Sequence, residues 1–490
     1  MDLKNQPLLV IGAGIMGAGI VQVAAQAGHT VFIFDQKPGA AEQAIENINK
    51  TFQNLIKKEK ITSEDASATL SRISVIKSLQ EASSVKLVIE AIIEKLEVKR
   101  ALFKELETIV SKDCVLATNT SSISVTAIAN GLSNPQRLVG MHFFNPVPLM
   151  KLVEVVSGLE TSKEIAESIF NLSITWNKTP VHAKSTPGFI VNRIARPFYA
   201  EALALVQEQT APIQVIDACI KAVGFRMGPF ELMDLIGLDT NFAVTSTVYE
   251  AFFFDSRFRP SIVQKELVDG GLFGRKTGKG FYDYSENASN PTLPLIAEKF
   301  APIYKNLIVH GNGSITKFIS EQLKENNFTF SENSNSEWNG LEVDGFQLRE
   351  TTGQTASSLG SNVAVFDICV KTEGQPYLAW ACSKTASAQW QVDVSNWLLH
   401  LGFKPLRVED RPGLIVARTL SMLVNEACDA VTQGVCSVEA TNQAMKLGVN
   451  YPAGPFEWLE QISSKNVREV LNALDSFYRG ERYRTSPLLN

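Results

Sequence analysis

The residues best able to move a proton stand in the run Arg137 to Val156. It holds His142, one of five histidines in the chain, and Glu154 twelve residues later inside an apolar alternation. Val139 to Phe144 reads as a strand end and Leu152 to Val156 as a second strand. Between them, Asn145-Pro146 and Pro148 force a turn, because proline fixes φ and pushes its predecessor out of helix. That turn would bring Glu154 back beside His142. A histidine with a carboxylate on its second nitrogen has a fixed tautomer and a supported imidazolium, so it can serve as a general base near neutral pH. The competing reading is a core histidine satisfied by a backbone carbonyl.

The elements before this pair favour chemistry. Leu8 to Gly12 is an apolar run of the kind a buried parallel strand needs. Gly12-x-Gly14-x-x-Gly17 follows, then an alanine-rich helix and the strand Thr30 to Asp35. In this order the first glycine allows a tight turn, the second admits a pyrophosphate, and the third lets the helix pack on the sheet. The phosphate then meets free N–H groups at the helix N-terminus. Asp35 is placed to accept from both ribose hydroxyls and to repel a 2′-phosphate, so NAD is the expected cofactor. Lys50, Lys57, Lys58 and Lys60 read as a solvated helix face. Leu87 to Ala91 and Val115 to Asn119 are further strands, and Asn119-Thr-Ser121-Ser122 adds polar groups at a strand's carboxyl end, where parallel sheets bind ligands.

Strand character fades over Thr179 to Thr186. Pro187-Gly188-Phe-Ile-Val-Asn192-Arg193 then opens a helical region that places Asn192 one turn into a helix. Arg411-Pro412-Gly413-Leu-Ile-Val-Ala417-Arg418 repeats Thr186 to Arg193 at an offset of 225, and Glu426-Ala427 repeats Glu201-Ala202. Gly454-Pro-Phe-Glu457 repeats Gly228-Pro-Phe-Glu231 after one inserted residue. Ala417 stands where the first copy has Asn192, so the second copy keeps packing and loses a polar group. Between the copies, Leu307 to Thr316 echoes the first strand and turn with Thr316 in place of the third glycine, and no His…Glu pair follows at twelve residues.

The expected organisation is an α/β Rossmann-like dinucleotide-binding domain at 1–184, an all-α domain at 185–285, a degenerate Rossmann-like region at 286–404, and a second copy of the α domain at 405–490. The net charge of −5 gives no support for nucleic acid as partner. Six scattered cysteines without C-x-x-C pairs argue against a structural metal or a disulfide framework. Glycines interrupt the N-terminal apolar run, and no run of eighteen apolar residues occurs. The chain therefore reads as soluble and cytoplasmic, without a membrane partner.

Ile11 to Gly17, Asn119 to Ser122, His142 to Pro146, Lys151 to Val155, Thr186 to Arg193 and Gly228 to Glu231 occur in one order. In that order the chain closely resembles the (S)-3-hydroxyacyl-CoA dehydrogenase family. The resemblance is continuous over about 7–284, with a partial second unit over about 305–475. It looks most like the long bacterial members with a repeated C-terminal unit, which include the 3-hydroxyadipyl-CoA dehydrogenases of phenylacetate degradation and related 3-hydroxybutyryl-CoA dehydrogenases. The resemblance implies NAD-linked oxidation of a 3-hydroxyacyl-CoA, with His142 as base, Glu154 as its orienting partner, Ser121 near the 3-oxygen and Asn192 holding substrate. It further implies Asp35 on the adenosine ribose, Glu94, Lys99, Asn145 and Lys276 on the nicotinamide side, and Thr51 and Lys58 on coenzyme A. The family's helical domain dimerises, so a homodimer or larger homo-oligomer is a possible assembly, although the internal repeat can supply the same packing within one chain. Two other readings are an NAD-dependent dehydrogenase of a free hydroxy acid or sugar acid, and a non-catalytic protein that kept the fold.

Overall fold

A computed structural model describes residues 2–370 and 374–490. The chain divides into two compact units, 1–193 with 430–449 and 194–429 with 450–490.

The first unit is built on an eight-stranded sheet: β1 Leu8–Ile11, β2 Val31–Phe34, β3 Ile73–Val75, β4 Leu87–Glu90, β5 Val115–Thr118, β6 Leu138–Phe143, β7 Leu152–Ser157 and β8 Thr179–Lys184. Their order is β3-β2-β1-β4-β5-β6-β7-β8. The pairings from β3 to β6 are parallel, β7 runs antiparallel to β6, and β8 is parallel to β7. β1, β4 and β5 are buried at every position, which is why their sequences read as continuous apolar runs.

Two local expectations are corrected. Residues 179–184 form the edge strand β8. Pro180 lacks the N–H a central strand needs, and such a residue is confined to sheet edges. Asn192 is the second residue of the helix Val191–Ile194, not one turn into it. Gly188 and Phe189 take φ of +72° and +49°, which helix cannot accommodate, so the helix starts after them.

The second unit contains a seven-stranded sheet: β9 Leu307–His310, β10 Ser331–Asn333, β11 Gly340–Val343, β12 Phe346–Glu350, β13 Val363–Phe366, β14 Tyr377–Cys382 and β15 Lys404–Arg407. Its order is β10-β9-β11-β12-β13-β14-β15. The crossover helix that joins β4 to β5 in the first sheet is replaced here by a hairpin, with β11 antiparallel to both β9 and β12. Asp344 and Gly345 turn it, both at positive φ, as a two-residue hairpin loop requires. The glycine turn after β9 is closed by Asn339. The Asn339 Oδ1 accepts from the Gly313 N–H at 3.3 Å and from Thr316 Oγ1 at 3.2 Å. A Cβ on Gly311 would lie 2.2 Å from that oxygen. The side chain thus occupies ground that a phosphate would need. Ser334 follows β10 where Asp35 follows β2.

The helices of this unit pair the two copies reciprocally. Arg257 donates to Glu426 at 2.9 Å, and Arg482 donates to Glu201 at 2.7 Å. Each residue of one pair is the other pair's counterpart at the offset of 225. Such reciprocity is the mark of an isologous contact, here made within one chain. Phe198 and Phe225 of the first copy pack with Tyr451 and Trp458 of the second, with ring centroids 5.0–5.6 Å apart in three contacts.

Candidate active site

Strand register places the central pair. His142 stands opposite Glu154 across β6 and β7. The His142 Nδ1 lies 2.6 Å from Glu154 Oε2. His142 is 5% exposed and Glu154 fully buried. The Phe144 and Phe189 rings flank the imidazole, with centroids at 4.6 and 5.8 Å. With Nδ1 committed to the carboxylate, Nε2 is the nitrogen left to take a proton. The other carboxylate oxygen, Oε1, accepts from the N–H groups of Ile190 and Val191, each at 3.0 Å. These groups open the helix that carries Asn192, whose Nδ2 donates to the Ser121 carbonyl at 3.4 Å. His142 and Glu154 are therefore joined to Asn192 and Ser121 by hydrogen bonds on either side of the short backbone segment 190–192.

The Ser121 loop is held by Glu94. Its Oε1 accepts from Thr120 Oγ1 at 2.5 Å and from the Ser121 and Ser122 N–H groups at 2.9 and 3.2 Å. Burial opposes ionisation of Glu94, but the Lys99 charge and these donors outweigh it and hold the carboxyl below its ordinary range. Lys99 is 1% exposed and bridges Glu90 at 2.6 Å and Glu94 at 3.1 Å, so its place is behind Glu94. Glu90 in turn accepts from Thr118 Oγ1 at 2.7 Å and from the Ile92 N–H at 2.8 Å. Nothing in the sequence reading singled out Glu90 for this role. Its signal was a charge ending an otherwise apolar strand.

Two more positioning residues went unassigned. Asn119 accepts the Phe143 N–H at 2.9 Å, fixing the backbone beside His142. Lys178 spans the turn after it, donating to the Val147 carbonyl at 2.5 Å and the Met150 carbonyl at 2.8 Å. Burial, with Lys151 nearby, pulls the Lys178 ammonium down to about 8. Lys178→Met should strand two carbonyls at a cost of about 1–3 kcal/mol. The checks are a lower Tm together with weakened cofactor binding, since Asn145 belongs to the same turn.

The glycine turn fits a dinucleotide. A Cβ on Gly12 would lie 2.4 Å from the Ala91 carbonyl oxygen, and one on Gly17 would lie 1.8 Å from that of Gly12. A Cβ on Gly14 meets nothing within 4 Å, so that side is open to a ligand. The helix Ile15–Gln26 begins there with no side-chain cap, leaving its first N–H groups for an anion. Asp35 accepts the Ala13 N–H at 2.7 Å and the Lys37 N–H at 2.8 Å, which ties the end of β2 to the turn.

The remaining residues are less closely joined. Asn145 is exposed on the turn after β6, and its bond to Pro146 is cis. Thr51 and Lys58 are both exposed, seven residues apart at the end of the helix Ala40–Lys57, hence on one face. Lys276 belongs to the second unit, where it pairs with Asp239 and lies 5.3 Å from the centre of the Phe273 ring. Among the described residues no helix is long and apolar enough to cross a membrane. No cluster of three or more metal-ligating side chains occurs among them either.

A dinucleotide turn with a buried, carboxylate-bound histidine at the same sheet's strand ends suits hydride transfer at a carbon–oxygen bond. Residues 8–186 match the model of the 3-hydroxyacyl-CoA dehydrogenase NAD binding domain. Residues 188–284 and 413–490 each match that family's C-terminal domain, and 348–412 match the 3-hydroxybutyryl-CoA dehydrogenase reduced Rossmann-fold domain. The chain belongs to the 3-hydroxyacyl-CoA dehydrogenase family, and it is an NAD-dependent oxidoreductase of that class. It is 40% identical to the 3-hydroxyadipyl-CoA dehydrogenase of Escherichia coli K12, over 100% of this chain and 98% of that one. The crystal structure of a 3-hydroxybutyryl-CoA dehydrogenase from Escherichia coli K12 superposes with a TM-score of 0.89 at 39% identity, covering 99% of this chain and 98% of that one. The mitochondrial hydroxyacyl-coenzyme A dehydrogenase of Sus scrofa is 44% identical over 56% of this chain and 90% of its own length.

Proposed function

We propose that this enzyme oxidises an (S)-3-hydroxyacyl-CoA to the 3-oxoacyl-CoA with His142 as general base and Glu154 as its orienting partner. The observation that carries the assignment is the buried contact of 2.6 Å between them. NAD⁺, when bound at the glycine turn, would supply the acceptor for the hydride lost from carbon 3. His142 Nε2 takes the hydroxyl proton, while Glu154 keeps a proton on Nδ1 and supports the imidazolium that forms. A positioned base of this kind is worth about 10²–10⁴-fold. Ser121 stands near the reacting oxygen and Asn192 steadies the acyl group. Gly12, Gly14 and Gly17 would hold the pyrophosphate and Asp35 the adenosine ribose. Glu94 and Asn145 would line the nicotinamide side with Lys99 behind Glu94, and Thr51 and Lys58 would meet coenzyme A.

The acyl group we propose is a dicarboxylic one such as 3-hydroxyadipyl, as the name of the full-length Escherichia coli relative specifies. Turnover across 3-hydroxyacyl-CoA chain lengths, with and without a terminal carboxylate, should peak on a carboxylate-ended chain. Faster turnover of free 3-hydroxybutyrate than of its coenzyme A ester would reassign the enzyme to free hydroxy acids. The domain organisation that supports this activity is the fourfold one, 1–184, 185–285, 286–404 and 405–490. Six scattered cysteines without C-x-x-C pairs support a reducing, cytoplasmic setting. The reciprocal pairing of the two helical copies does within one chain what a homodimer contact would otherwise do. Light scattering during gel filtration, which should give the mass of one chain, tests that statement.

A further inference from the structure

Glu154 uses both carboxylate oxygens, one on His142 and the other on the N–H groups of Ile190 and Val191. The second copy separates these two tasks. In the first sheet the register pairs His142 with Glu154 and Met141 with Val155. In the second sheet it pairs Phe366 with Trp380 and Val365 with Ala381, which is the same register shifted by 225 on both strands. The counterparts of His142 and Glu154 are therefore Asp367 and Ala379, and the Asp367 N–H donates to the Ala379 carbonyl at 2.9 Å.

The carboxylate has changed strands, yet its target has not. Asp367 accepts from the N–H groups of Ile415, Val416 and Ala417 at 2.9, 2.7 and 2.8 Å. At the offset of 225 these are the counterparts of Ile190, Val191 and Asn192. The turn that aims them is also preserved. Gly188 and Phe189 have φ of +72° and +49°, and Gly413 and Leu414 have +73° and +47°. Phenylalanine and leucine both disfavour that region, so each turn persists because its surroundings hold it. What the second copy keeps, after losing histidine and asparagine, is a buried carboxylate on the helix N-terminus.

We infer that Glu154 is a positioning residue for Asn192 as well as for His142, anchoring the helix from which Asn192 reaches the Ser121 carbonyl. This rests on the reading of His142 and Asn192 as site residues given above. It goes beyond that reading by making substrate affinity, and not proton transfer alone, depend on Glu154.

The test measures binding of acetoacetyl-CoA by calorimetry in variants that all lack the base, so that turnover is not involved. His142→Ala keeps the anchor. The double variant His142→Ala with Glu154→Ala removes it and should bind about tenfold more weakly, the effect of stranding buried N–H groups. His142→Asp with Glu154→Ala rebuilds the second copy's arrangement and should bind within about twofold of His142→Ala. His142→Ala with Glu154→Gln retains an oxygen acceptor and should also bind like His142→Ala, a comparison that stands if an alanine variant fails to fold. NADH affinity should be equal in all of them, since the glycine turn is untouched. Equal acetoacetyl-CoA binding with and without the Glu154 carboxylate overturns the inference, and so does failure of both the aspartate and glutamine variants to recover it. Wild-type turnover in His142→Ala would instead overturn the assignment of the base and leave these binding comparisons intact.

Discussion

His142→Ala is expected to lower turnover of 3-hydroxybutyryl-CoA by at least about 10²–10⁴-fold while NADH still binds. The chemical loss follows from geometry. With Nδ1 held by Glu154 at 2.6 Å, only Nε2 is left to take the hydroxyl proton. Cofactor affinity should survive because the glycine turn stands at the ends of other strands, between β1 and β2. Alanine also leaves Glu154 Oε2 buried without its partner, which costs about 1–3 kcal/mol, so a fall in Tm accompanies the loss. His142→Gln separates the two effects. A glutamine amide can still donate to Glu154 and recover stability, but it cannot act as a base. Near-wild-type turnover in either variant, followed as NADH absorbance, would remove His142 from the mechanism.

The second large effect belongs to the glycine turn, where two neighbouring glycines should fail for opposite reasons. In Gly17→Ala the new methyl would lie 1.8 Å from the Gly12 carbonyl oxygen, so the helix must move off the sheet. Overpacking of this kind costs about 1–3 kcal/mol or more, and Tm should fall along with NAD binding. In Gly14→Ala the methyl meets no protein atom within 4 Å. Folding stability should stay within about 0.5 kcal/mol of wild type, as for substitutions outside the packed core, so Tm should hardly move. NADH affinity should nevertheless drop at least tenfold, because the methyl enters the space a pyrophosphate needs for close approach. Fluorescence titration with NADH beside thermal melting distinguishes them. If Gly14→Ala bound NADH normally, the pyrophosphate would not lie against this turn.

Much of the fold was legible because it is written in short-range patterns. The apolar runs at β1, β4 and β5 read as buried strands since both faces of a central parallel strand need apolar side chains. The edge strand β8 was missed because Pro180, His182 and Lys184 break that pattern, as an edge tolerates. The hairpin that replaces a crossover helix between β11 and β12 was missed as well. Its turn residues, Asp344 and Gly345, announce a loop but not which strands it joins.

The glycine turn with Asp35 after the second strand, the spacing of twelve between His142 and Glu154, and the repeat at 225 can all be read along the chain. Each is a local or periodic feature fixed by chain geometry and residue type. What those groups bind depends on contacts between distant segments, which the folded structure supplies. It put Lys99 behind Glu94, closed the second glycine turn with Asn339, and gave the second oxygen of Glu154 to the helix of Asn192. It also showed that Asp367, at the histidine's position, takes over a task that Glu154 performs from the facing strand. Spacing alone treats that substitution as a lost catalytic pair. Hydrogen bonding treats it as one carboxylate serving the same N–H groups from the opposite strand, because adjacent strands bring the two positions within reach of one helix end.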